Sequence, residues 1–348
     1  MKNNELKSYA DIVKELKDKK RTKHLLLGNG FSMAYDKTIF SYNALSNFIM
    51  NINDPLLQQL FKTINTKNFE SIMAQLDNFI EIAKIFSTDK QLVKKIQKSS
   101  ETLKNRLIEA VKELHPEHVF KISDEKSLKC ASFLKEYLSN NGKIFSTNYD
   151  LLLYWVLMRN KFENAIDGFG RDVKNYEEKM EAENLEYSEL RWGKYKDEQS
   201  VYYLHGALPI FDTGIEIVKE EYDSQQYLLE KIKNRMENKD YPIFVTAGNA
   251  KEKLNHIMHN KYLSFCYDEF SNIQGSLIVI GFGFGEFDNH IIDAINKAAK
   301  QGKKIGDKLF SIYIGIYSDD GLKHIENIKK KFKCKVNLFN AKTTYIWE

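Results

Sequence analysis

Short apolar runs alternate with longer amphipathic stretches along most of this chain. Several of the runs have the length and the β-branched or aromatic character of buried strands. They cover residues 24–27, 143–147, 201–204, 243–246, 276–280 and 309–317. Strands that alternate with helical segments predict an α/β fold that is Rossmann-like, with a mostly parallel sheet and helices on both faces.

Helical spacing of apolar residues fills the intervals between the runs. It predicts helices over 6–20, 69–86, 92–114, 127–138, 151–158, 250–259, 262–272, 289–299 and 321–332. Residues 42–140 are almost free of glycine and proline, so we expect a large helical insertion after the first strand. Residues 159–200 are polar, glutamate-rich and broken by glycines, which predicts a lid-like excursion with a hairpin and mobile loops. We interpret 1–348 as a single domain.

The composition is that of a globular protein, because 43% of the 348 residues are hydrophobic and 29% are charged. The net charge of +4 neither requires nor excludes a nucleic-acid partner. Cys130, Cys266 and Cys334 are far apart and form no Cys-x-x-Cys pair, which excludes a disulfide framework and a zinc ribbon. No apolar run is long enough for a membrane span, and residues 1–20 are too charged for a signal peptide. We therefore expect a reduced, cytoplasmic protein.

The first candidate site follows the strand at 24–27. It consists of Gly28, Asn29, Gly30, Phe31 and Ser32. Glycines at a strand-to-helix turn let the backbone approach a phosphate, and N–H groups there favour an anion. Met33 stands where the dinucleotide fingerprint has its third glycine, which argues against an ordinary hydride-transferring enzyme. A plain strand-to-helix turn is the alternative.

A second polar set comprises Thr147, Asn148 and Asp150, at the end of the next strand. Open parallel sheets place ligand-binding groups at such strand ends. Asn148 can donate and accept, so it can hold a ribose hydroxyl or orient a water, and Asp150 can accept from an amide or a hydroxyl. The alternative is that Asn148 and Asp150 only cap the following helix.

His205 ends the strand at 201–204 and precedes Gly206, which would leave space beside the imidazole. A histidine there can act as a base or polarise a sugar hydroxyl. A hydrogen-bonded structural histidine is the alternative. His256 and His259 share a predicted helix, but no third ligand accompanies them, so we expect no metal site.

The last candidate is the turn after the strand at 276–280. Gly281, Gly283 and Gly285 alternate there, and Asp288 follows. Such glycines suit the close approach of a nucleotide, while a structural glycine turn is the alternative. The aromatic residues are scattered without a repeated basic pattern, so a nucleic-acid stacking platform is not indicated.

In order, these segments resemble motifs of the sirtuin-like superfamily. Residues 28–32 resemble its Gly-Ala-Gly-x-Ser loop, and residues 147–150 resemble its Gln-Asn-Ile-Asp segment. His205 and Gly206 resemble its catalytic His-Gly, and the turn at 281–285 occupies the place of its later ribose-binding loop. Thr-Asn-Tyr-Asp followed by Leu-His-Gly is most similar to the bacterial sirtuin-like domains of antiviral defence proteins, whose activity is NAD hydrolysis.

Sirtuin deacylases differ from this chain in two places. Their Gly-Ile-Pro-Asp-Phe-Arg stretch is replaced by a sequence that begins at Met33, and their four-cysteine zinc module has no counterpart. The resemblance therefore implies metal-free NAD hydrolysis rather than protein deacylation.

The resemblance also implies roles for the residues. The set that would hold NAD, the substrate, comprises residues 28–32, Thr147, Gly281, Gly283 and Asp288. Asn148 would hold the ribose and the attacking water, His205 would contact the ribose hydroxyls or act as a base, and Asp150 would contact the carboxamide or orient Asn148. Antiphage defence by NAD depletion is the implied biological role. We expect a homo-oligomer, or a defence partner docked on the helical insertion, to control it.

Two other classes of function stay open. The pocket could bind NAD or ADP-ribose as a sensor, without turnover. The chain could instead be an interaction protein or nucleic-acid effector that uses its lysine-rich helices. Lys94, Lys95, Lys98 and Lys104 would then form the contact surface, although a solvated helix face is the favoured interpretation of these lysines.

Overall fold

A computed structural model describes most of the chain. The described residues are 5–37, 55–64, 69–86, 90–114, 119–171, 190–222, 227–238, 240–245, 250–300 and 308–348. Within these ranges, no helix is both long and apolar enough to cross a membrane. The predicted insertion 42–140 and excursion 159–200 therefore lie partly outside the described residues.

The strands of the described residues form two sheets. They are β1 (Lys23–Leu27), β2 (Ile144–Ser146), β3 (Phe169–Gly170), β4 (Leu190–Trp192), β5 (Val201–Tyr203), β6 (Gly206–Asp212), β7 (Ile217–Lys219), β8 (Pro242–Phe244), β9 (Gly275–Ile280), β10 (Leu309–Ile316) and β11 (Lys335–Asn340). The first sheet has the order β11-β10-β9-β1-β2-β5, and every pair in it is parallel. The predicted Rossmann-like α/β fold is confirmed.

The helices lie between these strands. They are α1 (Tyr9–Asp18), α2 (Asn29–Tyr35), α3 (Pro55–Ile64), α4 (Phe69–Phe86), α5 (Lys90–Leu114), α6 (Asp124–Leu138), α7 (Leu152–Arg159), α8 (Leu228–Glu237), α9 (Ala250–His259), α10 (Lys261–Ser271), α11 (Asn289–Lys300) and α12 (Asp319–Ile328). In the described parts of 42–140, the elements between β1 and β2 are the helices α3 to α6 and a 3₁₀ turn. The helix predicted over 321–332 ends earlier, and a 3₁₀ turn follows it.

Side chains of adjacent strand residues point to opposite faces of the parallel sheet. Phe145 of β2 packs on Phe270 of α10 and stacks on Tyr202 of β5, with ring centroids 4.8 Å apart in both pairs. On the other face, Tyr203 of β5 lies with Tyr154 of α7 around a cavity of about 400 Å³. Helices therefore cover both faces.

The second sheet is antiparallel and was not predicted. Its order is β3-β4-β7-β6-β8. Only two residues separate β5 from β6, which is too short for a parallel crossover, so β6 leaves the first sheet. The run at 243–246, expected in the parallel sheet, instead forms β8 and pairs with β6, while residue 246 lies outside the described ranges. Buried side chains of both sheets belong to one hydrophobic cluster.

The structure describes the two ends of the excursion at 159–200. Phe169 of β3 pairs with Trp192 of β4 in an antiparallel arrangement, so the expected hairpin pairing is present at that position. Residues 172–189 between the two strands lie outside the described residues.

Candidate active site

The chain order of the parallel sheet reverses between β1 and β9. One series of strands runs outward from β1 through β2 to β5, and the other runs from β9 to β11. In sheets of this kind, ligands bind at the carboxyl ends of the strands beside such a reversal. Every candidate residue from the sequence lies at or just beyond this edge.

The glycines beside the reversal let two loops pack together. A Cβ atom on Gly28 would lie 2.6 Å from the Cα atom of Phe282, and one on Gly30 would lie 2.6 Å from the Cα atom of Gly281. The amide of Gly30 donates to the carbonyl of Gly281 over 2.8 Å. These glycines are therefore required by the contact between loops, a reason that the sequence did not reveal.

Several backbone amides predicted to bind the pyrophosphate already have protein acceptors. Gly28 N donates to Ile280 O and Phe31 N donates to Gly28 O, each over 2.9 Å. The Phe31 ring is buried against Trp347, whose indole N–H donates to the Phe31 carbonyl over 2.9 Å. The side chain of Asn29 contacts the sulfur of Met33 at 3.3 Å. In this conformation, much of the first loop is engaged by the protein itself.

The turn after β9 also contains a glycine that is packed against the protein and a glycine that is exposed. Gly281 has a φ of +69°, and a Cβ there would lie 2.5 Å from the amide nitrogen of Phe31. By contrast, Gly283 is exposed, and a Cβ on it would meet no atom within 4 Å. Gly283 therefore leaves room for a ligand.

A three-residue cluster joins the ends of β1 and β2. The side-chain amide of Asn148 donates to Ser32 Oγ over 2.9 Å, and the Ser32 hydroxyl donates to Asp150 Oδ2 in a short contact. Ser32 is fully buried, and Asn148 is 7% exposed. We call Asn148, Ser32 and Asp150 the relay.

The hydrogen bonds of the relay fix the orientation of the Asn148 amide. The Ser32 hydroxyl has one proton, which goes to the carboxylate, so its oxygen must accept from the NH₂ group of Asn148. Asn148 Oδ1 accepts no hydrogen bond within the described part of the chain. The relay thus holds a carbonyl oxygen in place, ready to accept from a hydroxyl or a water.

Asp150 serves both the relay and the next helix. Its Oδ1 accepts from Leu152 N over 2.9 Å at the start of α7, so part of the alternative helix-cap interpretation holds for Asp150, but Asn148 contacts Ser32 instead. Burial raises the pKa of Asp150 to about 6, against the opposing hydrogen bonds from Ser32 and Leu152. Thr147 ties β2 to β1, because its Oγ1 donates to Leu27 O over 3.2 Å.

A pair of histidines lies beyond the end of β5. His205 Nε2 and His290 Nε2 are 2.9 Å apart, and the two residues are 3% and 1% exposed. Burial lowers the pKa of His205 well below 6.5, and the charges of His290, Lys253 and His256 add to this effect. Burial also lowers the pKa of His290 to about 4. Both rings are therefore neutral near pH 7, the state in which an imidazole can accept a proton.

Asp288 holds a buried cation beside this pair. Lys253 of α9 is 5% exposed and donates to Asp288 Oδ1 over 2.8 Å. The ion pair fastens the turn before α11 to α9. The carboxylate expected to bind NAD is therefore occupied by Lys253 in this structure.

Residues 25–347 match the model of the DUF4917 family, which is described as a domain of unknown function. The chain belongs to the DUF4917 family. The matched range includes the relay, the histidine pair and both sheets apart from the first two residues of β1. No curated protein matches this DUF4917 chain.

Gly206 of the DUF4917 chain has a backbone role rather than the one expected from sequence. Its φ is +79°, and a Cβ there would lie 1.8 Å from the carbonyl oxygen of Ile243 in β8. The glycine therefore lets β6 pass close to β8, instead of keeping space open beside the His205 ring. The carbonyl of His205 also accepts from Val245 N over 2.9 Å.

Sequence reasoning missed His290 and Lys253 as members of the site. His290 directly follows the glycine-rich turn, and a polar residue at the start of a helix after that strand is the signal that could have indicated it. Lys253 gives no such signal, because lysines are frequent throughout the chain. Among the residues that the structure describes in this DUF4917 domain, no three His, Cys, Asp or Glu side chains are grouped as metal ligands.

Proposed function

We propose that this DUF4917 chain hydrolyses NAD to nicotinamide and ADP-ribose. The observation that carries the proposal is the relay, which presents Asn148 Oδ1 at the carboxyl edge of the parallel sheet, next to the reversal of strand order. The resemblance of its motifs to sirtuin-like NAD-hydrolysing domains adds the substrate. The His205–His290 pair adds a neutral imidazole at the end of a neighbouring strand.

In the proposed reaction, the bond between ribose C1′ and the nicotinamide nitrogen breaks, and nicotinamide leaves as a neutral molecule. Positive charge develops on the sugar, and a water oxygen then bonds to C1′. Asn148 Oδ1 accepts from the attacking water or a ribose hydroxyl, which favours the transition state because the amide is already oriented. His205 accepts the proton that the water loses. The products are nicotinamide, ADP-ribose and one proton.

The phosphates need contacts outside the engaged part of the first loop. Gly283 offers exposed backbone on the turn that adjoins that loop, and we assign the pyrophosphate to this side of the site. Gly28, Gly30 and Phe31 would then shape the floor of the site through their contact with the turn.

Antiphage defence through NAD depletion is the biological role that the sirtuin-like resemblance supports. A hydrolase of a common cofactor must be held inactive until it is needed. We propose that homo-oligomer formation, or a partner protein docked on α3 to α6, provides this control. The low exposure of Asn148 and His205 fits a site that opens only when triggered.

The test is to incubate the purified protein with NAD over a range of protein concentrations that spans oligomer formation, and to separate the products by chromatography. Equal amounts of nicotinamide and ADP-ribose support the proposal. Intact NAD, together with saturable stabilisation of the fold by ADP-ribose in a thermal-shift titration, supports a sensor without turnover. Intact NAD and no stabilisation by ADP-ribose would contradict the enzyme proposal. This result would favour an interaction protein that uses its helices as the contact surface.

A further inference from the structure

The contact between His205 and His290 imposes a proton arrangement. Two neutral imidazoles whose Nε2 atoms lie 2.9 Å apart form a hydrogen bond only if one Nε2 carries a hydrogen and the other does not. The rings must therefore adopt opposite tautomers. If both were protonated, two N–H groups would face each other at this distance.

The role proposed for His205 decides which ring donates. Nε2 of His205 faces His290, so a base at His205 needs the lone pair of Nδ1 and carries its hydrogen on Nε2. His290 must then carry its own hydrogen on Nδ1. A hydrogen on Nδ1 leaves His290 Nε2 as the acceptor. His205 then donates through Nε2 and keeps the lone pair of its Nδ1, the atom that can act as a base.

The charges around the pair oppose a second proton. Lys253 and His256 of α9 lower the pKa of His205, and Lys253 also lowers the pKa of His290. Asp288 is the opposing group, and its carboxylate is shared with the Lys253 ammonium. Tyr267 of α10 holds the backbone in place, because its hydroxyl donates to the carbonyl of His290 over 2.8 Å.

We propose that His290 is a positioning residue, which fixes His205 in the tautomer whose Nδ1 accepts a proton. The catalytic consequence rests on the proposed NAD hydrolysis. The hydrogen bond and the tautomers exist whether or not the protein hydrolyses NAD. They can therefore be tested separately.

The first test is a ¹⁵N spectrum of histidine-labelled protein, recorded across a pH series. His24 serves as an internal reference, because its Nδ1 accepts from Lys143 N and its Nε2 faces the Gln274 carbonyl, which fixes its tautomer. We expect His205 to show a protonated Nε2 and an unprotonated Nδ1, and His290 the reverse. His290→Leu removes the acceptor of the His205 Nε2 hydrogen, so both tautomers of His205 should become populated and its ¹⁵N signals should move towards averaged values. His205 signals that are the same in wild type and His290→Leu would overturn the proposal.

The second test is the pH profile of nicotinamide release by the same proteins. His290→Leu should reduce the rate about tenfold across the profile, because neither the tautomer nor the orientation of His205 is then fixed. His290→Gln, which retains a hydrogen-bonding side chain, should keep most of the wild-type rate. The matched control is His259→Gln, since His259 is an exposed histidine of α9, and its profile should equal that of wild type.

The two tests distinguish a failure of the proposed NAD hydrolysis from a failure of the proposed positioning role. If wild type shows opposite tautomers but releases no nicotinamide, the hydrogen-bonded histidine pair is supported and NAD hydrolysis is rejected. If His290→Leu releases nicotinamide at the wild-type rate, the hydrolase proposal is retained and the positioning role is rejected.

Discussion

The side-chain amide of Asn148 donates to the hydroxyl of Ser32 over 2.9 Å, although 116 residues separate them in the chain. The parallel pairing of β1 with β2 brings them together, because Leu27 lies opposite Ser146 and each strand ends there. The helical insertion lies between β1 and β2 in the chain. The site thus depends on a strand pairing that this long insertion does not disturb.

Removing the Ser32 hydroxyl should disable the site while leaving the fold intact. Ser32→Ala leaves the Asn148 amide without its acceptor and Asp150 without one donor, so Asn148 loses its fixed orientation. We expect nicotinamide release to fall about tenfold to a hundredfold, because small errors in position are costly in catalysis. Ser311→Ala is the matched control, since this buried serine bonds to Ser276 in the same sheet. Equal rates in the two variants would contradict the role of the relay.

Asp150 should make the stability of the protein depend on pH. Its pKa is raised from 3.8 to about 6 by burial, so between these values the folded state binds a proton that the unfolded state lacks. Stability from this group is present at low pH and is lost as the pH rises through that window. Asp150→Asn removes the buried charge and should raise the Tm by a few degrees near pH 8 but hardly at all near pH 4. A Tm gain of the same size at both pH values would contradict this account.

Substitution of Gly206 in the His-Gly sequence should destabilise the fold because of the backbone conformation of this glycine. Gly206→Ala combines a left-handed φ with a clash against Ile243, so we expect a loss of at least about 2 kcal/mol in the free energy of unfolding. Gly214→Ala is the matched control, since its φ is +81° but a Cβ there meets nothing within 4 Å. It should cost only about 1 kcal/mol in urea unfolding. Similar losses in both variants would show that the contact with β8 is unimportant.

The sequence predicted the central sheet because its strands are short apolar runs, buried on both faces. β11 was missed because it is an edge strand with half-exposed polar positions such as Asn337. The antiparallel sheet was missed because β6 contains Gly206 and Pro209, which read as turn residues. The pairing of β6 with β8 also shifts its register between Gly206 and Phe211.

Candidate site residues could be selected from sequence because each follows a strand, but their partners could not. Asp288 was expected to bind NAD, yet its carboxylate binds Lys253, a contact across 35 residues that no local pattern indicates. His205 and His290 are 85 residues apart and belong to different motifs. Only the folded chain shows that these two imidazoles form one unit.

The most direct measurement compares Asn148→Ala with wild type in both turnover and binding. We expect the variant to stay folded, to bind ADP-ribose with an affinity within about tenfold of wild type, and to lose at least about 2 to 3 kcal/mol of transition-state stabilisation in nicotinamide release. An Asn148→Ala protein that releases nicotinamide at the wild-type rate would contradict the role of the relay in NAD hydrolysis, since the orientation of this amide is the reason to place the reaction here.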